Sequence, residues 1–145
     1  MPPTTSWQKA PRYELVFGQD ARVADWVRAR LPNFIGWGGQ YIAIGYQREG
    51  YLQGGVVFTQ HSGPNILMAA ALDAPLTRRF LRALFHYPFL QLKCERITVL
   101  IDDDNPKSIR LVEHVGFVRE GCLRRARPGG NVYLYGLLRE HCAWL

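Results

Sequence analysis

Apolar and polar positions alternate first over residues 13–17, where Tyr13, Leu15 and Phe17 predict a strand. The period then changes. Val23, Trp26, Val27 and Arg30 share one stripe of a helix over residues 19–31, and Pro32 ends it. Residues 33–40 form a glycine-rich connection carrying two large apolar groups, Phe34 and Trp37. In a soluble domain such groups either plug the core or line a binding groove. Residues 40–46 and 51–59 read as two strands, joined by a hairpin turn over 47–50 that contains Gly50. Gly54 and Gly55, inside the second of these, mark a bulge or a close approach. After a turn over residues 61–65, the nearly all-apolar run 66–72 predicts a third consecutive strand, buried on both faces.

The main helix is expected over residues 76–92, with Leu76, Phe80, Leu81, Leu84 and Phe85 as its stripe and Pro88 kinking or ending it. An apolar strand over 97–101 follows. Asn105 then sits where an N-cap belongs, Pro106 takes the first helical position, and Gly116 stops the helix. Ser108, Leu111, Val112 and Val115 fall on one face of it. Residues 117–125 and 132–138 form a closing hairpin around Pro128, Gly129, Gly130 and Asn131. The tail ends in Trp144 and Leu145, which dock either on the chain's own sheet or on a second subunit of a homodimer. The order β-α-β-β-β-α-β-α-β-β predicts an α+β fold. Its mixed, mostly antiparallel central sheet of about seven strands carries three main helices. Residues 1–11, with three prolines, read as a loose tail, and residues 12–145 as one domain.

Composition narrows the class only a little. A chain of 145 residues, 48% hydrophobic and 21% charged, suits one soluble domain. No apolar run approaches the roughly 18 residues a membrane helix needs. The first residues lack a charged segment followed by an apolar one, so no secretory signal is expected and the default compartment is the cytoplasm. Cys94, Cys122 and Cys142 are odd in number and lack C-x-x-C spacing, which argues against a disulfide framework and a zinc site. The net charge of +6 favours a polyanionic partner without choosing between a nucleic acid and a phosphate-bearing small molecule.

The order of residue types from Asn105 to Arg125 is more specific. Asn-x-x-Ser-x-Arg-Leu-x-Glu-x-x-Gly-Phe-x-x-Glu-Gly-x-Leu-Arg resembles the C-terminal half of the GNAT acetyltransferases, closest to the RimJ/RimL type. The run from Tyr87 to Ile97, Tyr-Pro-Phe-Leu-Gln-Leu-Lys-Cys-Glu-Arg-Ile, resembles the segment that ends the main helix in the same group. Together the two cover about residues 77–139; upstream, only the order of elements agrees. The resemblance implies transfer of an acetyl group from acetyl-CoA to a primary amine, often that of a protein or peptide. The family's usual second helix has no room in residues 33–40.

The resemblance also implies site residues. In the family, a glycine-rich loop opens the main helix and cradles the pyrophosphate of CoA on backbone amides. Here the two glycine positions fall on Asp73 and Pro75. The cradle is then expected from the amides of Leu76, Thr77, Arg78 and Arg79, with Ala70, Ala71 and Leu72 of the preceding strand along the cofactor. Arg78, Arg79 and Arg82 oppose the helix dipole by about 0.3–1 kcal/mol each, which a bound anion would offset. The alternative is that they are solvated arginines partly balanced by Asp73. The tyrosine that many of these enzymes use for the leaving thiolate corresponds to Val112, so that role passes to Ser108. Asn105 is expected along the pantetheine arm. Glu120 is expected as the base, directly or through water, unless it pairs with Arg119 or Arg124; Asp73 and His61 have no motif behind them. Phe34, Trp37 and Tyr133 are expected as acceptor walls, with Arg124, Arg125 and Arg127 as a basic rim. Two rival readings stand beside an active transferase. One is a GNAT fold kept as a binding module without activity. The other is a basic nucleic-acid-binding domain, for which no arginine-aromatic motif is present.

Overall fold

The computed structural model describes residues 12–145, so the predicted tail over 1–11 lies outside the described residues. Seven strands form one sheet: β1 (Glu14–Val16), β2 (Tyr41–Arg48), β3 (Tyr51–Ser62), β4 (Asn65–Leu72), β5 (Arg96–Asp102), β6 (Val118–Arg127) and β7 (Gly130–Leu138). Three helices connect them: α1 (Asp20–Arg28), α2 (Arg78–His86) and α3 (Pro106–Val115). The sheet order is β1-β2-β3-β4-β5-β7-β6, antiparallel throughout except between β4 and β5. This is the predicted α+β architecture with a mixed, mostly antiparallel sheet.

Local chemistry sets the element ends. Glu49 and Gly50 both take positive φ, 53° and 82°, giving the two-residue turn whose twist matches a β2–β3 hairpin. At α2, Thr77 caps the start by accepting from the Phe80 amide at 3.1 Å, so the helix begins later than its apolar stripe suggests. Pro88 lacks an N–H, and after His86 the helix widens into a π-helical turn over Tyr87–Gln91, closed by the Leu92 amide on Tyr87 O at 3.0 Å. α1 ends at Arg28, before the predicted boundary.

The helices lie on both faces of the sheet. Val23 and Val27 of α1 press onto Gly45 and Gly55; a Cβ at Gly55 would stand 2.7 Å from Val27 and 2.8 Å from Val23. Gly54 meets the Tyr46 ring, so Gly54 and Gly55 both serve close approach, and a register shift at Tyr46/Gln47 beside Gly54 supplies the bulge as well. On the opposite face, Ile44, Tyr46, Val56 and Phe58 meet Phe80, Leu84 and Phe85 of α2, together with Val115 at the end of α3. Full burial of each such phenylalanine contributes about 1.5–3 kcal/mol. Trp144 folds back onto this layer, where its indole N–H donates to Val115 O at 3.0 Å and satisfies an orphan carbonyl at the end of α3. The tail thus docks within its own chain.

The parallel β4–β5 ladder is short. It pairs Asn65 with Arg96, Ile66 with Ile97 and Leu67 with Thr98, and goes no further. Thr98 Oγ1 donates to Asn65 Oδ1 at 2.7 Å and pins this closed end. β4 continues to Leu72 and β5 to Asp102 without pairing to each other. Here the sequence expectation needs correcting. Only Ile66 of the apolar run is fully buried, because the rest of β4 faces a gap where a neighbouring strand would lie.

Candidate active site

Where β4 and β5 separate, a cleft of about 430 Å³ opens. Its walls include consecutive residues of both strands: Leu67, Met68, Ala69 and Ala70 on one, Val99, Leu100, Ile101 and Asp102 on the other. Successive strand residues point to opposite faces, so a cleft touching all of them passes through the sheet. The small side chains of Ala69 and Ala70 keep it open. Towards α2 it meets an apolar groove of about 50 Å³ between α2 and α3, with which it shares Met68, Ala70, Leu111 and Val112.

On the helical face, α3 presents Asn105, Ser108, Leu111 and Val112 to the cleft. The Asn105 side chain caps α3 by accepting from the Ser108 amide at 3.3 Å. That leaves the Asn105 amide nitrogen and the Ser108 hydroxyl without a partner among the described residues. Ser108 and Val112 are one turn apart, so the only hydroxyl α3 offers the cleft comes from Ser108.

On the other face, residues 31–37 form the rim. Phe34 and Trp37 pack edge to face, with ring centroids 4.7 Å apart, and both line the cleft. Trp37 also packs against the valine cluster beneath α1, so it plugs and lines at once. Ile35 between them is wholly exposed. Asn33 has a left-handed backbone, φ 54°, and its amide nitrogen donates to Asp102 Oδ2 at 3.1 Å, tying this loop to the end of β5.

The start of α2 completes the site. Since Thr77 is the cap, the first helical amides are those of Arg78 and Arg79, and neither has an acceptor among the described residues. Leu76 precedes the helix and turns its side chain into the apolar groove. Asp73 lies on the α1 side of the sheet, where Arg30 grips it with Nε at 3.0 Å and Nη2 at 2.9 Å from Oδ2. Arg30 is itself stacked 3.6 Å over Trp26. The carbonyls of Ala74 and Pro75 face the Tyr46 hydroxyl at 2.9 and 3.2 Å. Burial first, and then the nearby Tyr13 and Asp73, push the Tyr46 phenol up to about 12. The loop is therefore held from below by a neutral donor.

No family model and no curated protein matches the sequence. Solved structures do match the fold. A mutant of the spermidine N-acetyltransferase SpeG from Vibrio cholerae superposes with TM-score 0.71 at 15% identity, over 88% of this chain and 94% of that one. A chimera of SpeG with hSSAT gives 0.70 at 14% identity, over 88% and 96%. A GNAT-family acetyltransferase from Bacillus anthracis gives 0.57 at 24% identity, over 68% and 66%. This is the GNAT fold.

Within the GNAT fold, the predicted site residues divide. Ala70, Asn105, Ser108, Phe34 and Trp37 meet in the cleft, and Leu72 and Leu76 line the adjoining groove. Ala71 instead packs beneath α1. Glu120 does not face the cleft. It lies beside the closed end of the β4–β5 pair, its Oε1 2.7 Å from Arg96 Nη2, across Gly136. A register shift between Arg119 and Gly121 governs which way this stretch of β6 points. Its pairing partner is thus Arg96 rather than Arg119 or Arg124. Tyr133 is likewise outside the cleft. It sits opposite Ile101 against the α2–α3 core, with the Arg119 guanidinium 3.8 Å above its ring. Arg127 leaves the expected basic rim, since it binds Asp103 through two nitrogens and lies 3.5 Å from Asp104.

Three contributors escaped the sequence reading: Tyr46, Arg30 and Asp102. Only Asp102 carried a local signal, an acidic triplet at the end of an apolar strand.

Proposed function

We propose that this chain transfers an acetyl group from acetyl-CoA to a primary amine of a protein or peptide, as its resemblance to the RimJ/RimL type implies. The observation that carries the reading is the cleft through the sheet. It has a hydroxyl and an amide without partners among the described residues on its α3 side and an aromatic loop on the other.

The residues present fit the cofactor. The β4 edge beyond Leu67 is unpaired towards β5, so its backbone groups are open to the amides of a pantetheine arm. Asn105 lines the same space, and its amide nitrogen has no partner among the described residues. The open amides of Arg78 and Arg79, with the exposed side chains of Arg78 and Arg82, suit the phosphates. Asp73 does not cancel this, because Arg30 neutralises it from the α1 side. Acetyl-CoA supplies an activated thioester carbonyl. A backbone N–H on the open edge of β4 is the donor for negative charge developing on that carbonyl oxygen. The Ser108 hydroxyl is the group of α3 that can hydrogen-bond the departing sulfur. The apolar walls of Leu67, Met68, Leu111 and Val112 keep water from the reacting atoms.

No helix among the described residues is long and apolar enough to cross a membrane. Action in the cytoplasm, where acetyl-CoA is at hand, belongs to the same reading. The test is the thermal midpoint with and without millimolar acetyl-CoA. A ligand at about a hundred times its dissociation constant adds roughly 2.7 kcal/mol, several degrees for a domain of this size. A shift, followed by release of CoA thiol with a mixed peptide pool, supports the transferase. No shift would leave the fold as a binding module.

A further inference from the structure

Among the residues lining the cleft, Asp102 is the only one with a titratable side chain. Its two acidic neighbours are already occupied, Asp103 by the bidentate contact of Arg127 and Asp104 by the same guanidinium at 3.5 Å. Asp102 makes no ion pair among the described residues: it feels the charge of the same guanidinium but is not in contact with it. Its one side-chain contact is neutral, the Asn33 amide nitrogen at 3.1 Å from Oδ2, which leaves Oδ1 open. The loop that Asn33 anchors carries Phe34, Ile35 and Trp37, and Ile35 is 100% exposed. A carboxylate short of a cation therefore sits beside apolar surface short of a cover.

We infer that Asp102 is the group that receives the acceptor's ammonium, and that the cleft selects an amine with a single positive charge next to an apolar or aromatic group. Asn33 is the positioning residue that fixes the carboxylate. The catalytic sense of this inference rests on the acetyl-transfer reading; its binding sense does not. A charge-assisted hydrogen bond holds the ammonium, and its apolar substituent covers Phe34 and Ile35. A polyamine, the substrate named for SpeG, carries further ammonium groups, and the described cleft walls offer them no second carboxylate. The exposed Arg124 and Arg125 and the net charge of +6 add to that discrimination.

The test is calorimetric titration of the full chain with 2-phenylethylamine, 2-phenylethanol, 2-methoxyethylamine and spermidine, repeated on Asp102→Asn. The expected result is that 2-phenylethylamine binds most tightly. Asp102→Asn should lose about 10- to 100-fold for that amine, the scale of a hydrogen bond to a charged group, and nothing for the alcohol. With acetyl-CoA present, the same variant should raise KM for the amine and leave the affinity for acetyl-CoA unchanged. Equal amine binding by wild type and Asp102→Asn, tighter binding of spermidine, or no amine binding at all would each overturn the inference. Amine binding that depends on Asp102 without release of CoA thiol would uphold it and sink the acetyl-transfer reading. Turnover that Asp102→Asn leaves untouched would do the reverse.

Discussion

Tyr46→Phe removes one hydroxyl from the floor of the β4–α2 loop, and the structure sets the size of the effect twice over. The side chain is fully buried, and its hydroxyl is the one partner described for the carbonyls of Ala74 and Pro75. Loss of that bond, with a carbonyl left unsatisfied, should cost about 1–3 kcal/mol at pH 8. The second effect comes from titration. The phenol stands at about 12 in the fold against an ordinary 10.0, so the folded chain keeps its proton where the unfolded chain gives it up. The neutral form's contribution is fully present below pH 10 and is lost as pH rises from about 10 towards 12. Two pH units correspond to about 2.7 kcal/mol. Tyr46→Phe has no such proton to lose. Urea unfolding of both proteins at 25 °C, from pH 8 to pH 11.5, should show the wild type more stable at the start and the gap closing above pH 10. Burial also raises the Tyr87 phenol, but Tyr87 is present in both proteins and cancels in the difference. Parallel pH profiles, or no gap at pH 8, would refute the assignment of this hydroxyl to the loop.

Ser108→Ala should leave the unfolding free energy nearly unchanged and slow CoA thiol release, while Asn105→Ala should in addition lose about 1 kcal/mol of cap stability by urea titration. If Ser108→Ala keeps full turnover, the hydroxyl has no part in the departure of the sulfur. Arg30→Ala releases Asp73 beside the start of α2. It should weaken acetyl-CoA in a thermal-shift titration and change the unfolding free energy by no more than about 1 kcal/mol, since the pair is partly exposed. Gly55→Ala forces a methyl within 2.8 Å of two β-branched side chains of α1 and should destabilise by about 1–3 kcal/mol. A wild-type melting temperature for that variant would show that α1 can lift off the sheet at little cost.

The parts of the fold that were legible are those whose cause is local. Asn105, Pro106 and Gly116 mark α3 because cap, first turn and stop each act within a few residues. The Glu49–Gly50 turn and the capping of α2 by Thr77 are equally local, though the sequence alone gives Thr77 to ligand chemistry rather than to a helix start. The state of β4 was not legible. An all-apolar strand looks the same whether a neighbour covers it or a cleft opens beside it, and only the end of the ladder at Leu67 and Thr98 decides. Glu120 and Tyr133 lie away from the cleft for a related reason. Which face a strand residue occupies depends on register, and β6 shifts register between Arg119 and Gly121. Asp102 needed knowledge of where Arg127 points, since one guanidinium takes up the two other acids of the triplet.

The departures at Asp73 and Pro75 then acquire a different meaning. A glycine-rich loop binds phosphate by bringing bare backbone close, and it loses conformational entropy in doing so. Here the loop has lost that freedom but gained fixed supports: Arg30 from just beyond α1 holds Asp73, Tyr46 from β2 holds the carbonyls of Ala74 and Pro75, and Thr77 caps the helix they lead into. Arg30 and Tyr46 take up groups that would repel or compete with an anion, while Thr77 occupies the Phe80 amide and leaves those of Arg78 and Arg79 open. What remains open to an anion is the amides of Arg78 and Arg79 and the guanidinium groups of Arg78 and Arg82, with the exposed Asp73 carboxylate already paired to Arg30. On the acetyl-CoA reading, the site substitutes a preordered loop with side-chain charge for a flexible loop with bare amides. Its affinity should therefore fall steeply with salt, as pairing with exposed arginines demands. A backbone cradle buried under its ligand would lose little between low and physiological ionic strength, so a salt series of acetyl-CoA titrations separates the two designs.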